Sequence, residues 1–140
     1  MNNQSSTFHI NQLEADLKRL FGEPEVIIDM SDYETKKENE KQLAFKSRAL
    51  AAYSLHILAD ARPSQAAQAV VDGYDDNGID ALLFQKKQNT LWLVQSKWIQ
   101  NGKNTPKAAE MRTFKDGIFD LLNYSKRSER FNHKFEYKEQ

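Results

Sequence analysis

DGYDDNGIDALLFQKKQNTLWLVQSKW, residues 72–98, is the stretch on which the fold turns. Two short apolar runs, Ala81–Phe84 and Leu91–Val94, flank the polar segment Gln85–Thr90. Runs of this length, rich in Leu, Phe, Trp and Val and parted by a turn-forming segment, predict a β-hairpin. With the turn centred on Lys87–Gln88, antiparallel partners have residue numbers that sum to 175. Phe84 then faces Leu91, Gln85 faces Thr90 and Asp80 faces Gln95. Directly opposed residues hold their Cβ atoms about 4.5–5.5 Å apart, close enough for two oxygen-bearing side chains to share one cation. Lys97 lies two residues beyond Gln95 and falls on the same face. One end of the hairpin therefore gathers an acid, an amide oxygen and an ammonium.

The period of two also sorts the apolar residues. Leu82, Phe84, Leu91 and Leu93 share the side of Asp80, and Ala81, Leu83, Trp92 and Val94 take the other. A strand pair that is apolar on both faces lies between layers, here of helices.

Upstream, Ile10, Leu13, Leu17 and Leu20 repeat at three and four, predicting a helix over about Phe8–Phe21, stopped by Gly22 and Pro24. Met1–Thr7 is polar, without periodicity, and is expected to be disordered. Glu25–Met30 reads as a short strand or as an extended linker. A longer helix is expected over Tyr33–Ala59, capped by Ser31 or Asp32, with Leu43, Leu50, Ile57 and Leu58 as its main stripe and Phe45, Ala49 and Ala52 as a second strip. On that wheel Glu40 lies beside the main stripe and Glu38 points away. Ser64–Val71 reads as a short helix, and Asp72–Gly78 as a turn-forming loop. Beyond the hairpin, Thr105 as cap and Pro106 at the first helical position open another helix, with Met111, Phe114, Ile118 and Leu121 on one face, ending near Tyr124.

The whole chain of 140 residues suits one domain. Residues 1–7 form a tail, 8–32 an N-terminal helix and linker, 33–124 the core and 125–140 a basic C-terminal segment. That segment stops without a terminator, so the chain is expected to be the N-terminal part of a longer protein or a shortened homologue. Hydrophobic residues make up 39% and charged residues 29%, a soluble globular composition. Net charge is zero, so attraction to a polyanion must come from a local patch. The absence of cysteine excludes disulfides, thiolate metal sites and a cysteine nucleophile. No apolar run approaches a membrane span and no signal-peptide pattern opens the chain, which points to the cytoplasm.

An acid, a carbonyl oxygen and a lysine at one strand end suit a hard divalent cation, Mg²⁺ or Mn²⁺, which takes oxygen ligands. Such an ion polarises a phosphodiester oxygen and acidifies a bound water, and a lysine beside it stabilises charge on the phosphate. The neutral Gln95 leaves room for a further acid: Glu40, Asp75 or Asp76. Lys103, Lys107, Arg112 and Lys115 follow closely and could track a phosphate backbone; they read equally as a solvated helix face.

The pattern Gly78-Ile79-Asp80-Ala81 followed by Val94-Gln95-Ser96-Lys97 resembles the PD-(D/E)xK nuclease superfamily in its QxK variant. More narrowly, residues 72–98 resemble the N-terminal nuclease domain of the abortive-infection phage-resistance (AIPR) family, with Mrr-like restriction enzymes as more distant relatives. The resemblance implies an α/β fold with a restriction-endonuclease-like core, a central mixed β-sheet containing hairpin 80–97 and flanking helices. It also implies metal ligands at Asp80, Gln95 and the backbone carbonyl of Ser96, a catalytic Lys97, and an acid from the preceding helix, assigned to Glu40. The implied activity is a Mg²⁺- or Mn²⁺-dependent endonuclease in anti-phage defence or restriction. Its partner is nucleic acid, with DNA ahead of RNA, and association into a homodimer is left open. Two departures stand out: Gln95 replaces the commoner acid, and Ile79 stands where the superfamily's proline would be. The alternative is a catalytically inactive module of the same fold that binds nucleic acid or protein.

The plain structural readings are these. Asp80 caps a turn, Gln95 satisfies buried backbone and Lys97 is solvated. His9, His56 and His133 are scattered and suggest no metal site, and Trp92 and Trp98 belong to the core.

Overall fold

The computed structural model describes residues 3–22, 28–71 and 78–123. Its elements are helix α1 (Asn3–Phe21), α2 (Glu38–Leu58), α3 (Pro63–Gln68), strands β1 (Ala81–Gln85) and β2 (Thr90–Val94), and helix α4 (Ala108–Leu122). Short 3-10 turns cover Ser31–Tyr33 and Lys86–Gln88. The chain is thus a mixed α/β domain with an antiparallel two-stranded sheet flanked by helices. No helix among the described residues is long and apolar enough to cross a membrane.

The hairpin pairs in the expected register: Ala81 with Val94, Leu82 with Leu93, Leu83 with Trp92, Phe84 with Leu91 and Gln85 with Thr90. Asn89 closes the turn in the left-handed region at φ 50°, a conformation asparagine tolerates better than most residues. Among the described residues the sheet is antiparallel rather than mixed, because a short turn joins its strands and parallel strands need a long crossover. A third segment touches its edge: Val70 bridges Ala81, with Val71 N–H donating to Asp80 O at 2.9 Å and Leu82 N–H to Ala69 O at 2.9 Å.

The two faces of the hairpin serve two cores. Ala81, Leu83, Trp92 and Val94 join the larger one with Leu17 and Phe21 of α1, a row of alanines from α2 and α3, and Trp98. On the other face, Leu82 and Leu93 pack with Val71, Ile79 and the α4 side chains Phe114 and Leu121. Gly78 permits the close approach of α4. Its φ is +76°, and a Cβ there would lie 3.0 Å from Thr113 Cγ2 and 3.2 Å from Phe114 N.

Several boundaries and faces differ from expectation. Helix α1 begins at Asn3, inside the expected tail, because its first turns dock on the loop after β2. There Ser6 Oγ donates to Asn101 O at 3.0 Å, and Ile10 packs beside Gly102. Helix α2 begins at Glu38 rather than Tyr33, since Glu40 Oε2 accepts the Lys37 N–H at 3.1 Å and closes the first turn. Asp32, expected as a cap, pairs instead with Arg48 at 2.7 Å through both carboxylate oxygens. The main stripe of α2 faces the core only at Leu50, whereas the second strip is buried as expected at Ala49 and Ala52, with Phe45 packed against the core. Leu43, Ile57 and Leu58 are exposed, whereas Ala44, Arg48, Ala49, Ala51, Ala52 and Leu55 are buried. Small side chains on that face bring α2 close to the alanines of α3, where Leu and Ile would hold the helices apart. Helix α4 starts at Ala108 rather than at Pro106, with Lys107 before it and Glu110 Oε2 accepting the Lys107 N–H at 2.7 Å. Trp92 and Trp98 sit in or against the larger core, as expected. The segments 72–77 and 124–140, with Asp75, Asp76 and His133, lie outside the described residues, as do residues 23–27, which include the first three of the Glu25–Met30 stretch.

Candidate active site

Asp80 immediately precedes β1, and its backbone is held on both sides. Its N–H donates to Val94 O at 2.7 Å and its carbonyl accepts from Val71 N–H at 2.9 Å. The first of these bonds is displaced by one residue from the ladder, so Asp80 is not a regular partner of Gln95. Instead its Oδ2 accepts the Ser96 N–H at 2.6 Å, which ties the start of β1 to the exit of β2. Ser96 Oγ donates to Ser47 O of α2 at 3.1 Å and anchors that exit to the helix layer.

Gln95 and Lys97, two residues apart in an extended segment, project to the side of Asp80. A cavity of about 360 Å³ receives all three. Ser96 and, from α4, Glu110, Met111 and Phe114 complete most of its wall. Gln95 Nε2 donates to Glu110 O at 3.2 Å, and the Lys97 ammonium forms an ion pair with Glu110 Oε1. The Glu110 carboxyl is held below its ordinary value, first by the Lys97 hydrogen bond and then by the Lys107 N–H.

Lys97 also borders a larger, more polar groove of about 890 Å³, lined further by Thr7, Gln100, Asn101, Asn104 and Lys107. Trp98 touches this groove but is only 7% exposed, and the Lys46 ammonium lies 5.5 Å from its ring centroid. Its ring is a wall of the core rather than an open stacking platform.

The structure therefore brings Asp80, Gln95, Ser96 and Lys97 together and adds Lys107 to the adjoining groove. Glu40 lines neither cavity. It sits in the first turn of α2, seven residues before Ser47, or about 10 Å along the axis at 1.5 Å per residue, and its carboxylate serves the Lys37 N–H. Lys103, Arg112 and Lys115 are exposed and line neither cavity. On α4, Arg112 and Lys115 are turned by about 200° and 140° from Glu110, away from the sheet. Among the described residues no group of three or more histidine, aspartate or glutamate side chains is assembled for a metal. His56 is structural, with Nδ1 hydrogen-bonded to Ala61 O at 2.8 Å beyond the end of α2.

Glu110 is the site residue that sequence reasoning missed. Its spacing three residues after a helix cap is a recognisable capping signal, but nothing local ties it to Lys97, thirteen positions earlier. In comparisons with known proteins the chain matches no family model, no curated protein and no solved structure.

Proposed function

We propose that this chain is a metal-dependent nuclease domain that hydrolyses phosphodiester bonds of nucleic acid, DNA ahead of RNA. The finer fold we infer for it is a restriction-endonuclease-like core, and its setting anti-phage defence or restriction. One observation carries the reading: an acid, an amide and a lysine predicted from the hairpin register to converge all line one cavity at its open end. The donor set suits a hard cation, since Asp80 offers carboxylate oxygen and Gln95 an amide oxygen, with the Ser96 carbonyl as a third candidate. When bound, Mg²⁺ or Mn²⁺ would polarise a phosphodiester oxygen and acidify a water. Lys97, at the junction of the cavity and the polar groove, supplies positive charge where a scissile phosphate would gain negative charge. Lys107 and the amides of the groove offer contacts to the flanking backbone.

Titration with Mn²⁺ by calorimetry tests the metal site without a substrate. The parent chain is expected to bind one ion, and Asp80→Ala to lose that binding. Incubation of the parent chain with single- and double-stranded DNA and RNA in Mn²⁺ then tests hydrolysis. Neutral Gln95 and the pairing of Lys97 with Glu110 favour a second reading, a module that holds nucleic acid without cutting it. Nucleic-acid binding with no Mn²⁺ uptake and no cleavage would establish that module.

A further inference from the structure

We infer that Glu110 is the positioning residue of this site, holding Lys97 by its carboxylate and Gln95 by its backbone carbonyl. The inference rests on the nuclease reading for its role in catalysis, but the geometry that carries it is independent of any activity.

Glu110 occupies the third position of α4, and its side chain is anchored at both oxygens. Oε2 turns back to the Lys107 N–H at 2.7 Å, while Oε1 pairs with the Lys97 ammonium. A carboxylate held in this way by the first turn of a helix is favoured by the unpaired N–H groups there. Such a carboxylate is a fixed counter-charge, because neither oxygen can move without losing a partner. The same residue's carbonyl takes the Gln95 amide Nε2 at 3.2 Å. With the nitrogen committed, the amide cannot flip, and which side of it presents oxygen is set. A single residue thus orders Gln95 and Lys97, two polar side chains that share the cavity with Asp80. It also explains how side chains on a two-stranded hairpin, 47% exposed in the case of Lys97, keep a defined arrangement. They lean on α4, which the second core presses against the same face of the sheet.

The bland alternative is that Glu110 only caps α4. Competitive acylation separates the two. The full chain is treated with trace acetic anhydride, and the labelling of Lys97 is compared by mass spectrometry with that of Lys86 and Lys87, both exposed in the hairpin turn. Lys97 is expected to react more slowly than these references. In Glu110→Gln, which keeps an oxygen for the Lys107 N–H, its relative rate should rise several-fold with little change in melting temperature. An unchanged relative rate in a folded Glu110→Gln overturns the proposal. Should that variant not fold, raising the salt on the parent chain from about 0.1 to about 1 M shortens the Debye length from about 10 to about 3 Å. The same rise is then expected, and its absence overturns the proposal as well. Where the parent cleaves nucleic acid, Glu110→Gln should lower kcat about 10- to 100-fold with KM little changed, as for a reacting group displaced by about an ångström. A parent with no hydrolysis defeats the nuclease reading alone, because the acylation result still decides what holds Lys97.

Discussion

Lys97→Ala is expected to fold, to melt with the parent chain and to take up Mn²⁺, yet to hydrolyse nucleic acid about 10²–10³ times more slowly. Each part has a structural reason. Lys97 is half-exposed, belongs to neither core and makes an ion pair at the surface, an arrangement that contributes little to stability. On the proposed mechanism its ammonium is the nearest positive side chain to the phosphate undergoing attack. Losing one such charge-stabilising group is an effect of that size. Parent and variant assayed side by side in Mn²⁺ settle the matter, and near-parental turnover would remove Lys97 from the chemistry. A large fall in melting temperature would instead make it a strut.

The largest effect on stability is expected where α2 buries a charge. Arg48 is 4% exposed, and its guanidinium donates to both oxygens of Asp32 and to Asp29 O, each at 2.7 Å, beneath the ring of Tyr33. Asp32, with its side chain 47% exposed, can return to water when the pair is broken; Arg48 cannot. Asp32→Ala therefore leaves a permanently charged guanidinium walled in, for which fully buried pairs show losses of about 3–5 kcal/mol. Water at Asp32 already screens the pair, and the Asp29 carbonyl remains, so about 2–3 kcal/mol is expected. Arg48→Met, which removes the charge but keeps much of the bulk, should cost less. Urea unfolding of both variants measures the order, and a greater loss in Arg48→Met would show that the guanidinium's packing outweighs its charge.

How much of this was legible in the residues follows from the range of the forces involved. The hairpin was, because a period of two and a turn centre fix five partners at once, and Asp80, Gln95 and Lys97 then share one end by arithmetic. The buried face of α2 was legible only in part: Ala49 and Ala52 were expected on a second strip and are buried, but the main stripe was assigned to the wrong side. A reading by hydropathy favours Leu43, Ile57 and Leu58, whereas close approach to Ala66 and Ala67 selects alanines, and Arg48 enters that face only because Asp32 and the Asp29 carbonyl come to meet it. Glu40 was placed beside Leu43, on a stripe of α2 expected to face the core, and Leu43 is exposed. Once Lys37 precedes the helix, Glu40 is a first-turn carboxylate with a local donor. Glu110 depends on where α4 lands after the 99–107 connection, which Gly78, Phe114 and Leu121 decide together.

The division of the apolar residues into two clusters sets a hierarchy of openings. Helices α1, α2 and α3 share the larger cluster, while α4 is held mainly by Phe114 and Leu121 against Val71, Ile79, Leu82 and Leu93. Its detachment exposes a small apolar area and leaves the larger cluster whole, so it is a sub-global event that precedes unfolding. Amide hydrogens of α4 should exchange with solvent sooner than those in the middle of α2. Each such excursion carries Glu110, and one wall of the cavity, away from Asp80. Occupancy of the assembled site is therefore its own equilibrium, and any ligand that bridges α4 and the hairpin shifts it by mass action.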